Sequence, residues 1–462
     1  MSEIKELKES LFSSHKNGLK NIDQKTEKAI TDYCEGYKKF LDNSKTEREA
    51  VKTAVALAEK KGFKPFVIGK KYNAGDKVYF NNRGKTVAFA VIGKETVDNG
   101  TNITAAHIDS PRLDLKPNPL YEEIDLALFK THYYGGIKKY QWTALPLALH
   151  GVFVLKDGSV IEVNVGEDEN DPKFIINDLL PHLAREQNGR SLVDGIRAEE
   201  LNILVGSKPF NNDDESELVK LNILKILNEK YGITEEDFLS AELEVVPALK
   251  ACDLGFDRTL IGGYGQDDRV CAYPALTAVL DVENPQKTAI AILTDKEEIG
   301  SDGNTGLNSD YLRHIVGDFA TMQGVDYTVA LRNSKCLSAD VNAAFDPTFQ
   351  DVFERRNSAF VNYGVVLTKY TGSRGKSSTS DASAEFVASI RNMLDSAGIV
   401  WQTGELGKVD FGGGGTVAKY LASTGMDVVD LGVPVLSMHA PYETTAKLDV
   451  YMCHRTMYEF MK

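Results

Sequence analysis

The chain has 462 residues, 42% of them hydrophobic and 26% charged, with a formal net charge of -14. That composition is ordinary for a soluble globular protein, and the length suits two or three domains or one large α/β domain with an insertion. The acidic balance argues against a general nucleic-acid or anionic-membrane partner, since those surfaces carry the same sign of charge.

The opening stretch, MSEIKELKESLFSSHKNG, is polar and mixed in charge, unlike a signal peptide. No apolar run approaches the roughly 18 residues of a membrane span. Five scattered cysteines (34, 252, 271, 336, 453) without a C-x-x-C pair fit buried thiols in a reducing compartment. A cytoplasmic location is therefore expected.

The first sixty residues read as helical: Ile30, Tyr33, Tyr37, Phe40 and Leu41 follow i, i+3, i+4 spacing. Ser44 and Glu47 form a capping-box pattern ahead of Val51, Ala54, Val55 and Ala58. Strand-like runs follow at 86–93 and 101–109. After Pro111 the texture changes, and 151–165 reads as two β runs joined around Asp157-Gly158. An acidic loop, NNDDESE (211–217), leads into a short helix ending near Gly232.

From about residue 250 the α/β texture returns. RVCAYPALTAVLDV reads as a helix, TAIAILTD and KCLSADV as strands, GTVAKYLAST as a helix, and DVVDLGVPVLSMH as closing strands. The fold class expected is α/β: a doubly wound, mixed-sheet catalytic domain built from 1–112 and 248–462. A mainly β domain, a lid or an assembly module, would be inserted at 113–247.

Five patches at the ends of apolar runs carry the chemistry: AAHIDSPRLD, GYGQDDRV, DKEEIGSDG, CLSADVNAA and LSMHAPYE. Side chains at the carboxyl ends of strands in a doubly wound sheet converge on one crevice. Two histidines and several carboxylates there suit a divalent ion such as zinc, cobalt or manganese. The charge balance favours two ions. If Asp267 bridges them, with Glu298 and Asp340 as further ligands, three carboxylates leave one positive charge, which a bridging hydroxide neutralises. Of the adjacent Glu297 and Glu298, one would then hold metal and the other move the proton.

The ordered set AAHIDSPRL, GQDDR, DKEEIGSDG, SADVNAAFDP and LSMHAPYET resembles the aspartyl-aminopeptidase-like family of dinuclear zinc metallopeptidases. YGGIKK (134–139) and LPHLARE (181–187) add to the likeness, which runs from about residue 80 to the end. The resemblance implies that His107, Asp267 and Asp340 hold one ion, and that Asp267, Glu298 and His439 hold the other. It makes Glu297 the general base, with Asp109 orienting the His107 imidazole. It further implies removal of N-terminal residues from peptides and assembly into homo-oligomers as large as dodecamers, with an inserted β domain used in assembly.

The chain departs from the aspartate-specific members of that family. They carry two histidines four apart where this chain has His182 and then Glu186. Lys369 matches a lysine that the family sets against an acidic side chain. His182 and Lys369 are thus candidates for substrate binding, while a strict preference for acidic N-termini is not implied.

Taken alone, EEIG reads as a solvated turn and His107 as a core histidine; the company of the other patches gives both a chemical role. Asp268 and Asp302 read as structural or solvated, and histidines 15, 132, 150, 314 and 454 as surface or core residues. GGGG (412–415) lacks dinucleotide spacing, and RGKSS (374–378) lacks the first P-loop glycine, where Tyr370 stands. Both loops could instead line the substrate pocket. The competing functions are a related dinuclear-metal deacylase and a non-catalytic, self-assembling scaffold.

Overall fold

The computed structural model describes residues 3–13, 15–211 and 215–462. Its centre is a mixed nine-stranded sheet. Four strands form the parallel heart, in the order Ala289–Thr294, Asn102–His107, Lys335–Ser338 and Asp427–Gly432. Thr86–Val91 pairs antiparallel with the first, and Val365–Thr368 antiparallel with the last.

All six residues of Ala289–Thr294 are buried, because helices cover both faces of the sheet. Ala289, Ala291 and Leu293 pack into one core with Phe40, Leu276 and Met457. Ile290 and Ile292 face the other way, toward Leu312, Phe319 and Leu331. Each fully buried aliphatic side chain contributes about 1.5–3 kcal/mol, so an all-apolar strand is stable only where both faces are dry. The α/β class and the mixed sheet expected from the sequence are what the chain forms.

A second sheet of seven antiparallel strands is built wholly from residues between Arg112 and Pro247. It has its own core, around Leu113, Trp142, Phe153, Phe238 and Val245. Its hairpin joins Leu147–Val154 to Val160–Val165, and Gly158 in the turn takes φ +85°, a left-handed conformation that glycine adopts without strain. The helix Leu218–Tyr231 ends at Gly232, φ +72°. Of the acidic stretch before it, 212–214 lie outside the described residues.

Three local expectations are corrected. The capping box lies at Thr46 and Glu49, not Ser44 and Glu47. The S/T-x-x-E pattern occurs twice in SKTERE, and Glu47 is engaged elsewhere, buried at 3.3 Å from both Arg112 and Lys85. The strand expected over 101–109 stops at His107, freeing Asp109 to turn. The helix expected over GTVAKYLAST shortens to Ala418–Ala422.

A further helix, Lys447–Met461, carries no one-sided apolar stripe in the sequence. It follows a small five-stranded sheet that contains Pro434–Leu436 and Glu443–Ala446. Among the described residues no helix is long and apolar enough to cross a membrane.

Candidate metal centre

Parallel strands end at one edge of a sheet, so the register decides which side chains meet there. Thr294 pairs with His107, and Ser338 with Ala105. His107 therefore ends its strand beside the turn that carries Glu297 and Glu298, and Asp340 follows two residues after its neighbour. Asp267 comes from the first turn of the buried helix Gln266–Asp281. His439, at φ +65°, comes from the loop joining two strands of the small sheet.

The two carboxylate oxygens of Asp267 face different imidazoles. Oδ1 lies 3.1 Å from His107 Nε2, and Oδ2 lies 3.2 Å from His439 Nε2. His107 Nε2 is also 3.8 Å from Asp340 Oδ1, and His439 Nε2 is 3.6 Å from Glu298 Oε2. The result is two groups, His107 with Asp340 and His439 with Glu298, joined by one aspartate.

Each imidazole is fixed from behind. His107 Nδ1 lies 3.0 Å from the Asp109 carbonyl, and His439 Nδ1 lies 2.8 Å from that of Gly136. A carbonyl oxygen only accepts, so each Nδ1 donates and each Nε2 can offer its lone pair toward the centre. The sequence showed no local partner for His439. The partner follows a strand of the seven-stranded sheet, 303 residues upstream in the chain.

Asp109 does more than face His107. Its Oδ1 accepts the Glu297 N–H and its Oδ2 the Glu298 N–H, each at 3.2 Å, and the Tyr134 hydroxyl donates to Oδ2 at 2.8 Å. Glu443, not among the residues expected at the site, has a parallel role. Its Oε2 accepts the N–H groups of Gln266 (2.6 Å) and Asp267 (3.1 Å), and its Oε1 that of His439 (2.8 Å). The signal was present, since Glu443 closes the LSMHAPYE patch.

The electrostatics are those of crowded anions. Burial, then the charge of Asp340, push Glu297 up to about 8. Burial, then Asp267, push Glu298 up as well. Burial would also raise Asp267, but hydrogen bonds from His107 and His439 hold it below the usual carboxylate range. His439 is lowered by burial, yet its hydrogen bond to Asp267 and the charge of Glu298 bring it to about 10.

Glu298 Oε1 is buried with no hydrogen-bond partner among the described residues. Ligand atoms of His107, Asp267 and Glu298 lie within 4.8 Å of one another, as do those of His107, Asp268 and Asp340. A donor-rich pocket with an orphaned carboxylate oxygen and two aimed imidazoles fits divalent cations. Asp268, read from sequence as structural, is also within reach, and its Oδ2 accepts the His107 N–H at 3.3 Å.

The centre opens into a cavity of about 470 Å³ lined by Gly413, Gly414, Gly415, Leu406, Met438 and others. The glycine run therefore faces the site, whereas residues 374–378 do not line it. His182 and Lys369 are exposed and do not line it either.

This fold and site suit a metal-dependent hydrolase. Residues 40–461 match the family Aminopeptidase I zinc metalloprotease (M18), and the chain belongs to it. It is a metallo-aminopeptidase. A probable M18 family aminopeptidase 1 of Clostridium acetobutylicum is 52% identical over 450 residues, covering 96% of this chain and 97% of that protein. The crystal structure of an M18 aminopeptidase from Thermotoga maritima superposes with a TM-score of 0.93 at 45% identity, covering 98% of this chain and all of that one. An mApe1 dodecamer of S. cerevesiae shares the fold, with a TM-score of 0.76 at 21% identity over 94% of this chain and 97% of that one.

Proposed function

We propose that the protein hydrolyses N-terminal residues from peptides with two divalent ions, zinc foremost, and Glu297 as general base. The observation that carries this reading is Asp267, whose two oxygens face the two imidazoles at 3.1 and 3.2 Å. In it His107 and Asp340 would hold one ion and His439 and Glu298 the other, with Asp267 placed to serve both. Bound there, the ions would polarise the scissile carbonyl and acidify a water.

The remaining work falls to the chain's own side chains. Glu297, on the turn beside the proposed ligands and lining the cavity, takes the proton of the attacking water and returns it to the leaving amine. Asp109 holds Glu297 and Glu298 in place through their backbone N–H groups. Lys369 and His182 would help choose the first side chain. Lys369 leaves its strand two residues before Thr371, which does line the cavity.

The test is Glu297→Gln. Peptide release is expected to fall by about 10²–10⁴-fold, with metal content by elemental analysis unchanged. Full activity with metal bound would remove Glu297 from the role of base. Cleavage of a free-amine aminoacyl anilide but not its N-acetyl form separates the peptidase from the deacylase. A panel of acidic, basic and apolar N-termini, repeated with Lys369→Met and His182→Ala, decides whether those two residues select.

The distant dodecameric relative supports a homo-oligomer, up to twelve subunits, which light scattering of the purified protein measures. The five cysteines are free, which supports a cytoplasmic setting that fractionation checks.

A further inference from the structure

Among the described residues, one lysine or arginine lines the cavity above the two imidazoles, Lys419. Its Nζ makes neither an ion pair nor a hydrogen bond among those residues. It lies instead 4.7 Å from the centre of the Tyr420 ring. An ammonium over an aromatic face is attracted by the ring, and its three donors are not all used there.

The ring is itself anchored. The Tyr420 hydroxyl donates to the Gly300 carbonyl at 2.8 Å, just past the turn that bears Glu297. At the start of the same segment Thr416 donates to Asp430, a buried carboxylate, also at 2.8 Å. The segment that carries Lys419 is thus pinned on either side of it, at Thr416 and Tyr420, on the side of the cavity formed with the Glu297 turn.

The carboxylates lining the cavity are those proposed to bind metal and move the proton, so among the described residues Lys419 has no partner of its own. Much of the remaining lining is glycine or apolar, as at Leu406 and Met438. A charge that faces such a cavity finds its partner on what enters it. We infer that Lys419 binds a carboxylate of the bound peptide, and so favours substrates that carry one near the scissile bond. The inference rests on the aminopeptidase reading above. The carboxylate has two sources: an acidic side chain, or the free C-terminus of a di- or tripeptide.

Zinc-loaded full-length protein, Lys419→Met and Lys419→Arg are compared on three substrate pairs. Leu-Gly-Gly against its C-terminal amide reports on a free C-terminus. Glu-Gly-Gly-amide against Gln-Gly-Gly-amide reports on an acidic first side chain. Leu-Glu-Gly-amide against Leu-Gln-Gly-amide reports on an acidic second one. The wild type is expected to favour the acid member of at least one pair by about tenfold in kcat/KM, the size of one charged hydrogen bond.

That preference resides in KM, is lost in Lys419→Met and is kept in Lys419→Arg; the pair that shows it identifies the source. Thermal melting checks that both variants fold. A wild type with no preference in any pair, or a Lys419→Met that keeps the preference, overturns the inference. If no peptide is cleaved, acid or neutral, the peptidase reading falls and the inference with it.

Discussion

Glu443 fixes two proposed ligands, Asp267 and His439, with one buried carboxylate that only accepts. In Glu443→Gln, an amide NH₂ must face a backbone N–H, so at least one of three hydrogen bonds is lost. Metal affinity is expected to fall about 10–100-fold, measured by competition with a chromogenic chelator, while the fold is retained. Unchanged affinity would mean that the ligands hold themselves. That His107, Asp267, Glu297 and His439 gather at one crevice was legible, because each ends an apolar run or sits in a charged patch beside one. Glu443 sits in such a patch too, but its role as an acceptor for the N–H groups of Gln266 and Asp267, 177 and 176 residues away, appears only in the folded chain.

His454 gives a second prediction at this scale. Burial holds its imidazole down to about 4, below the ordinary 6.5. The unfolded chain therefore binds more protons between those values, and stability falls as pH drops from about 6.5 to 4. The loss approaches about 3 kcal/mol below pH 4. Denaturant titrations at pH 7 and pH 5 are expected to differ less in His454→Gln than in the wild type. An equal difference would remove His454 from the acid response.

At the level of elements, the helix Glu47–Lys60 starts from Thr46 and not from the earlier serine. Thr46→Ala is expected to cost about 1 kcal/mol, and Ser44→Ala less, because Ser44 is not the N-cap. Denaturation midpoints of the two variants check the order, and the reverse order would restore the box at Ser44. Buried strands were readable in the sequence from uninterrupted apolar runs such as AIAIL. The final helix was not. Lys447, Leu448, Asp449 and Val450 are all buried in succession, which leaves no one-sided stripe to read.

For the whole molecule, the antiparallel sheet is not separate from the chemistry. Gly136, from the loop after its strand Leu126–Tyr134, orients His439, and Tyr134 within it reaches Asp109. A centre gathered from such distant segments forms only in the folded chain, so metal binding and folding are linked. Zinc at about 100 times its dissociation constant is expected to stabilise the protein by about 2.7 kcal/mol. Melting with and without a chelator measures this, and identical curves would exclude metal binding to the folded state. No pattern in the sequence pairs Gly136 with His439, because that contact exists only once both sheets are in place.

Asp109 grips two consecutive peptide N–H groups, one for the residue proposed to move the proton and one for its neighbour proposed to hold metal. The two cannot be tuned independently. An enzyme engineer who shifts the Glu297 backbone to reposition the base displaces Glu298 with it. Changes in this turn therefore trade turnover against metal retention. Variants selected for speed alone should become more sensitive to chelators, a cost visible only when both properties are screened together.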